Sequence, residues 1–204
     1  MLKIRKAVIS GGLALTLAVA AAAPAFAGGS VTGTVYGQHA TQTFNDIKAN
    51  TPEAQAIGAV TEAGLMSGEP DGSFSPNSAV STGDFAEAIV KYLGLGSSVS
   101  TGSGTAGYIT EAASLDLLPS GSSTTGTMSR LDVALAVAKA LKLTPVTGTL
   151  PWKDASNIPV ADQGLLLALY QKGYFKGFDN GDFGSSSTMT REEIAFVFAR
   201  LLGL

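Results

Sequence analysis

Cysteine is absent from the 204 residues, so neither a disulfide staple nor thiolate chemistry is available and the fold must rest on its core. Histidine occurs once, as His39 in a Gly- and Thr-rich stretch, and one imidazole cannot assemble a metal site that needs several converging ligands. Charge is sparse, at 14% of residues. Arginine is sparser still, with only Arg130, Arg191 and Arg200 beyond residue 27. Catalytic signatures are also missing: there is no nucleophile elbow and no phosphate-binding Gly-rich loop ahead of Lys-Ser/Thr. The Asp and Glu residues that recur occupy helix-cap positions rather than opposing one another as a glycosidase pair would. Asp179, Asn180 and Asp182 offer oxygens like those of a calcium loop, but the required glycine and closing glutamate are out of register. No enzyme activity, metal or cofactor is expected.

Residues 1–27 combine a basic start (Lys3, Arg5, Lys6), an apolar run from Ala7 to Ala23 and a small-x-small ending, Ala25-Phe26-Ala27. These are the parts of an export signal, which predicts a secreted protein with no membrane span once the signal is removed. Three of the thirteen basic residues leave with it, so ten Lys and Arg face sixteen Asp and Glu, a net charge of about −6. That balance excludes a nucleic-acid partner, which requires a basic patch. An acidic chain binds an anion only where cations cluster locally, which makes the few arginines informative. Residues 28–43 lack helical periodicity and read as an exposed arm.

Beyond the arm the chain repeats itself. Residues 64–95 shifted by 109 positions fall on 173–204 without a gap: Gly64 on Gly173, Gly72 on Gly181, Phe74 on Phe183, Ser81 on Thr190, Asp84 on Glu193. A third, shorter copy opens its second helix with Met128-Ser129-Arg130-Leu131-Asp132. Units repeated in fixed order bury their apolar faces on one another. The boundaries expected are repeat 1 at 44–95, a Gly/Ser/Thr linker at 96–107, repeat 2 at 108–143, a linker at 144–149 and repeat 3 at 150–204.

Within each repeat the punctuation is explicit. Thr51 caps a helix with Pro52 at its first position, and the helix closes near Gly64. Gly68 to Pro76 specifies successive tight turns, with Phe74 as the plug that fixes the loop to the core. Ser81, Ser129 and Thr190 are N-caps, and Asp84, Asp132 and Glu193 stand three residues on, where a capping-box acid reaches back. Helices are expected at 82–93, 108–115, 133–143 and 161–172. Phe85, Ile89 and Leu93, then Val133, Val137 and Leu141, give each second helix one apolar stripe. From Ser120 to Ser129 repeat 2 has nine positions where repeat 1 has thirteen from Gly68 to Ser81, so its loop has lost the Pro-Asp-Gly-x-Phe cassette.

The ordered set of an aromatic-x-Asp start (Phe44, Asp46; Trp152, Asp154), a short helix, a Gly-x-x-x-Gly-x-Phe loop and a helix headed Thr-Arg-x-Glu resembles the S-layer homology family, three tandem motifs covering about residues 43–204. The resemblance implies an all-α fold with long ordered loops, a pseudo-threefold bundle of three helix-loop-helix repeats with one longer helix from each at its centre. It implies a non-catalytic anchor, secreted to the cell surface or cell wall, whose inter-repeat grooves bind a secondary cell-wall polysaccharide or peptidoglycan-linked glycan, often bearing a pyruvyl ketal.

Residue chemistry fits that implication. A ketal carboxylate suits arginine, planar and permanently charged, and Arg130 and Arg191 lie in first helical turns where free N–H groups and the dipole also favour an anion. Trp152 suits stacking on a sugar, and Gly72 and Gly181 suit close approach of a polymer to the backbone. A first-turn arginine also suits pairing with a neighbouring carboxylate, and Trp152 also suits the core. Repeat 1 departs from the pattern with Thr82 and Gly83 at the arginine position. The alternative is a degenerate bundle that self-assembles as a homo-oligomer or binds a surface protein without recognising glycan.

Overall fold

A computed structural model describes residues 44–204; the expected export signal, the arm and His39 lie outside the described residues. Among the described residues the protein is all-α, with six α-helices, two single 3-10 turns and isolated bridges in place of any sheet. The helices are α1 (Pro52–Glu62), α2 (Thr82–Tyr92), α3 (Gly104–Ser114), α4 (Arg130–Ala140), α5 (Val160–Gln171) and α6 (Arg191–Leu201). No described helix is long and apolar enough to cross a membrane.

Local chemistry sets most of the boundaries. Thr51, Ser81, Ser129 and Thr190 each accept the amide of the residue three positions on, at 3.0–3.2 Å. The reciprocal half of the capping box forms only in α6, where Glu193 accepts the Thr190 amide at 2.9 Å. Asp84 and Asp132 do not complete it: a side chain one methylene shorter does not span the turn, and Asp132 instead takes the Ser129 hydroxyl at 2.6 Å. At the other end, every helix stops two residues past its last turn residue in a left-handed backbone position: Gly64, Gly94, Asp116, Lys142, Gly173 and Gly203. Consequently all six helices are 11 or 12 residues long, and the expected longer helix per repeat is not found. Lys142 likewise ends α4 three residues before the expected Leu143.

Two expectations about repeat 2 shift. Helix α3 begins at Gly104, so the expected linker at 96–107 holds a 3-10 turn, Gly96–Ser98, and the first turn of α3. Packing explains this: α3 lies on α2, and Gly83 leaves room that a Cβ would fill, 2.9 Å from Thr105. Helix α4 begins at Arg130 rather than Val133, directly after its Ser129 cap.

Pairing among helices is cyclic. The first helix of each repeat packs on the second helix of the preceding one, α3 on α2 and α5 on α4, and α1 closes the ring on α6. The segments before the second helices pair in the same sense, with Ser81 bridging Thr127, Ser129 bridging Thr188 and Thr190 bridging Ala79. Phe74, Phe85, Phe175, Phe183 and Phe198 fill the core with essentially no exposure, so no repeat buries its apolar face alone.

Asp116 and Lys142 hold left-handed conformations where the other four helix stops use glycine, a strain of about 1–2 kcal/mol per residue. Replacing Lys142→Gly should therefore raise the unfolding free energy by roughly 1 kcal/mol after the larger chain entropy of glycine is offset. Urea denaturation of the two proteins measures this directly.

Candidate functional site

The three places where second helices begin are built alike. In each, the first two helical amides donate to carbonyls of the next repeat's loop: Thr82 to Gly126 and Gly83 to Thr124; Arg130 to Ser187 and Leu131 to Ser185; Arg191 to Ser78 and Glu192 to Pro76, all at 2.7–3.1 Å. The acceptors lie four and six residues before the accepting repeat's own helix, the same register every time. The third amide goes to the cap hydroxyl. The expectation of free amides at Arg130 and Arg191 is thus corrected, because neighbouring loops use these donors. An orphan donor in a closed interface is costly, and a loop carbonyl is the nearest acceptor.

Side chains then distinguish the three interfaces. Arg191 crosses from repeat 3 to repeat 1, donating from Nε to the Phe74 carbonyl at 2.8 Å and from Nη2 to the Ser67 carbonyl at 2.5 Å. Its guanidinium lies 4.6 Å from the Phe74 ring centre and 3.8 Å from the Asp84 carboxylate. Only 6% exposed, it clasps the neighbouring loop.

Arg130 crosses from repeat 2 to repeat 3 and is held differently. Its guanidinium sits among Phe178, Phe175 and Phe183, with ring centres at 4.6, 5.6 and 5.7 Å. Nη1 pairs with Glu193 at 3.1 Å, while Nε is buried with no partner. Burial pushes this guanidinium below its ordinary pKa against the opposing pull of Glu193, though arginine stays charged throughout. At the terminal nitrogens the difference from Arg191 traces to Trp152. Its indole donates to the Lys176 carbonyl at 3.0 Å, the counterpart of the Ser67 carbonyl that Arg191 uses. Repeat 1 has Phe44 there, which donates nothing and leaves Ser67 to Arg191.

Trp152 is itself 5% exposed and packed on Phe183 and Tyr170, at 4.6 and 5.6 Å between ring centres. The structure therefore places it in the core rather than on a surface open to a sugar. Gly72 and Gly181 adopt φ of 84° and 90°, which their turns require, and their carbonyls accept the amides of Asn45 and Lys153. A Cβ on Gly181 would lie 3.0 Å from the Lys153 side chain, so that side chain already occupies the approach. Arg130 and Arg191 belong to different interfaces, so the predicted residues do not converge on one site. No group of described residues is arranged to hold a metal ion.

The aromatic-x-Asp starts have a use that reading by residue type did not supply. Asp46 accepts the amides of Phe74 and Ser75 at 2.8 and 2.7 Å, and Asp154 those of Phe183 and Gly184 at 2.7 and 2.9 Å. The recurrence of an aspartate about 28 residues before each phenylalanine plug was the available signal. Burial works against the charge on Asp46, but the two loop amides outweigh it and hold the carboxyl below its ordinary value. Its stabilisation is therefore present above the unfolded-state pKa and lost as pH falls through the lower folded value. Asp46→Asn should lower urea stability at pH 7, and the gap to wild type should close in strong acid.

The family model for the S-layer homology domain matches residues 43–86 and residues 153–195. No curated protein matches the chain. Each matched stretch contains the latch aspartate, Asp46 or Asp154, with its loop and ends within α2 or α6, and α3 and α4 lie outside both. The S-layer homology domain is a non-catalytic module that anchors proteins at the cell surface, typically on cell-wall glycans, and two stretches of this chain match it.

Proposed function

We propose that this protein is a secreted, non-catalytic anchor for the cell envelope, built of three S-layer homology repeats, the second reduced. It binds a secondary cell-wall polysaccharide carrying a carboxylate such as a pyruvyl ketal. The observation that carries the reading is the unpartnered Nε of Arg130. A ligand carboxylate takes Nε and one terminal nitrogen of a guanidinium as a fork. Glu193 sits on Nη1, the terminal nitrogen outside that fork, and keeps its place with its second bond to the Thr190 amide. Phe178, 39% exposed, is the wall of the aromatic cage that solvent reaches, and entry is from that side. Arg191 serves stability, since its Nε and Nη2 are held by loop carbonyls of repeat 1 and its Nη1 lies against Asp84.

Binding to purified walls tests this, with and without chemical removal of the pyruvyl-bearing polymer. Wild type should sediment only with intact walls, and Arg130→Lys, which keeps the charge but loses the fork, should weaken binding on the order of tenfold with an unchanged circular dichroism spectrum. Arg191→Ala should instead cost about 3–5 kcal/mol of stability by stranding a buried network. Folded wild type that stays in the supernatant on every wall tested would sink the glycan reading and favour assembly through protein contacts.

A further inference from the structure

The interface between repeats 1 and 2 lacks both halves of the clasp found in the other two. Thr82 stands where Arg130 and Arg191 stand, and Ser122, eight residues before its helix, stands where Phe74 and Phe183 do. The backbone frame is nevertheless intact, with the Thr82 and Gly83 amides and the Ser81–Thr127 bridge in the common register. A groove of about 340 Å³ opens there. Its lining includes Thr82, Pro119, Ser122 and Asp132. These are the counterparts of the arginine itself and of Ser67, Phe74 and Asp84, the residues that hold Arg191 in its own interface. Leu118 and Leu135 give the groove an apolar wall.

From this we infer that the groove is a docking site for an arginine side chain of a polypeptide partner, which replaces the arginine this interface lacks. Both neighbouring interfaces show what the frame accepts: a guanidinium beside an acid at the third helical position, Asp84 or Glu193. Asp132 is that acid here, and the side chain it accepts a hydrogen bond from is the Ser129 hydroxyl. Pro119, counterpart of Ser67, lines the groove, and its carbonyl carries the Ser122 amide and hydroxyl at 3.3 and 2.7 Å. Lys139, the cation in the lining, is turned to Asp116, whose carboxylate and carbonyl it binds at 2.9 Å each. It leaves the Asp132 end for an incoming cation. An apolar residue beside the partner's arginine would cover the wall left bare by the missing phenylalanine.

Nuclear magnetic resonance titration of the isotope-labelled protein with acetyl-Phe-Arg-amide tests this, against the neutral isostere acetyl-Phe-citrulline-amide. Amide shifts at Thr82, Leu118 and Asp132 are expected, with the citrulline peptide at least tenfold weaker. Asp132→Asn should weaken the arginine peptide by a similar factor. Thr82→Arg fills the groove from within, so it should abolish those shifts and raise the melting temperature. Equal response to both peptides, shifts confined to the Phe175–Phe178 cage, no shifts at the highest soluble concentration, or unchanged binding by Thr82→Arg would each overturn the inference. A stronger response to glucosamine than to the arginine peptide would also overturn it and assign the groove to an amino sugar.

Discussion

The constraint on which this structure depends is that the first amides of three helices must find acceptors inside closed interfaces. Each helix obtains them from the loop of the next repeat, and because the donation runs 1 to 2, 2 to 3 and 3 to 1, the ring closes without a free end. No repeat can satisfy its own helix start, which makes the three a single cooperative unit rather than beads on a string. The same donations remove the amides from the inventory of anion ligands, so anion recognition here falls to side chains.

Side chains break the symmetry that the backbone keeps. An arginine and a phenylalanine ring act together in two interfaces and are both missing from the third, where a groove stands in their place. A ring without its cation would leave a loop unclasped, and a cation without its ring keeps the acid at the third helical position as its partner. Between the two filled interfaces the choice of Phe44 or Trp152 decides one acceptor: an indole donor claims the Lys176 carbonyl, whose counterpart at Ser67 serves a terminal nitrogen of Arg191.

Loop geometry is secured separately from the helices. Asp46 and Asp154 each bind two consecutive amides beside a buried phenylalanine, so the same loop shape is latched at two points of the ring. Repeat 2, with no such aspartate and a loop four residues shorter, keeps only the carbonyl register needed by α2. What survives in it is the part its neighbour requires.

The sequence by itself determined most helix boundaries, because caps at Thr51, Ser81, Ser129 and Thr190 and left-handed stops at Gly64, Gly94, Gly173 and Gly203 are local interactions. It also determined the repeat, the helical class and the phenylalanine plugs, since these follow from spacing and apolarity. Only the tertiary structure decided the use of each polar group. Whether Arg191 faces solvent or the Ser67 and Phe74 carbonyls, whether Trp152 is surface or core, and why α3 starts at Gly104 all depend on partners tens of residues away. Hydrogen-bond capacity is written in residue type, but the acceptor that consumes it is supplied by the fold.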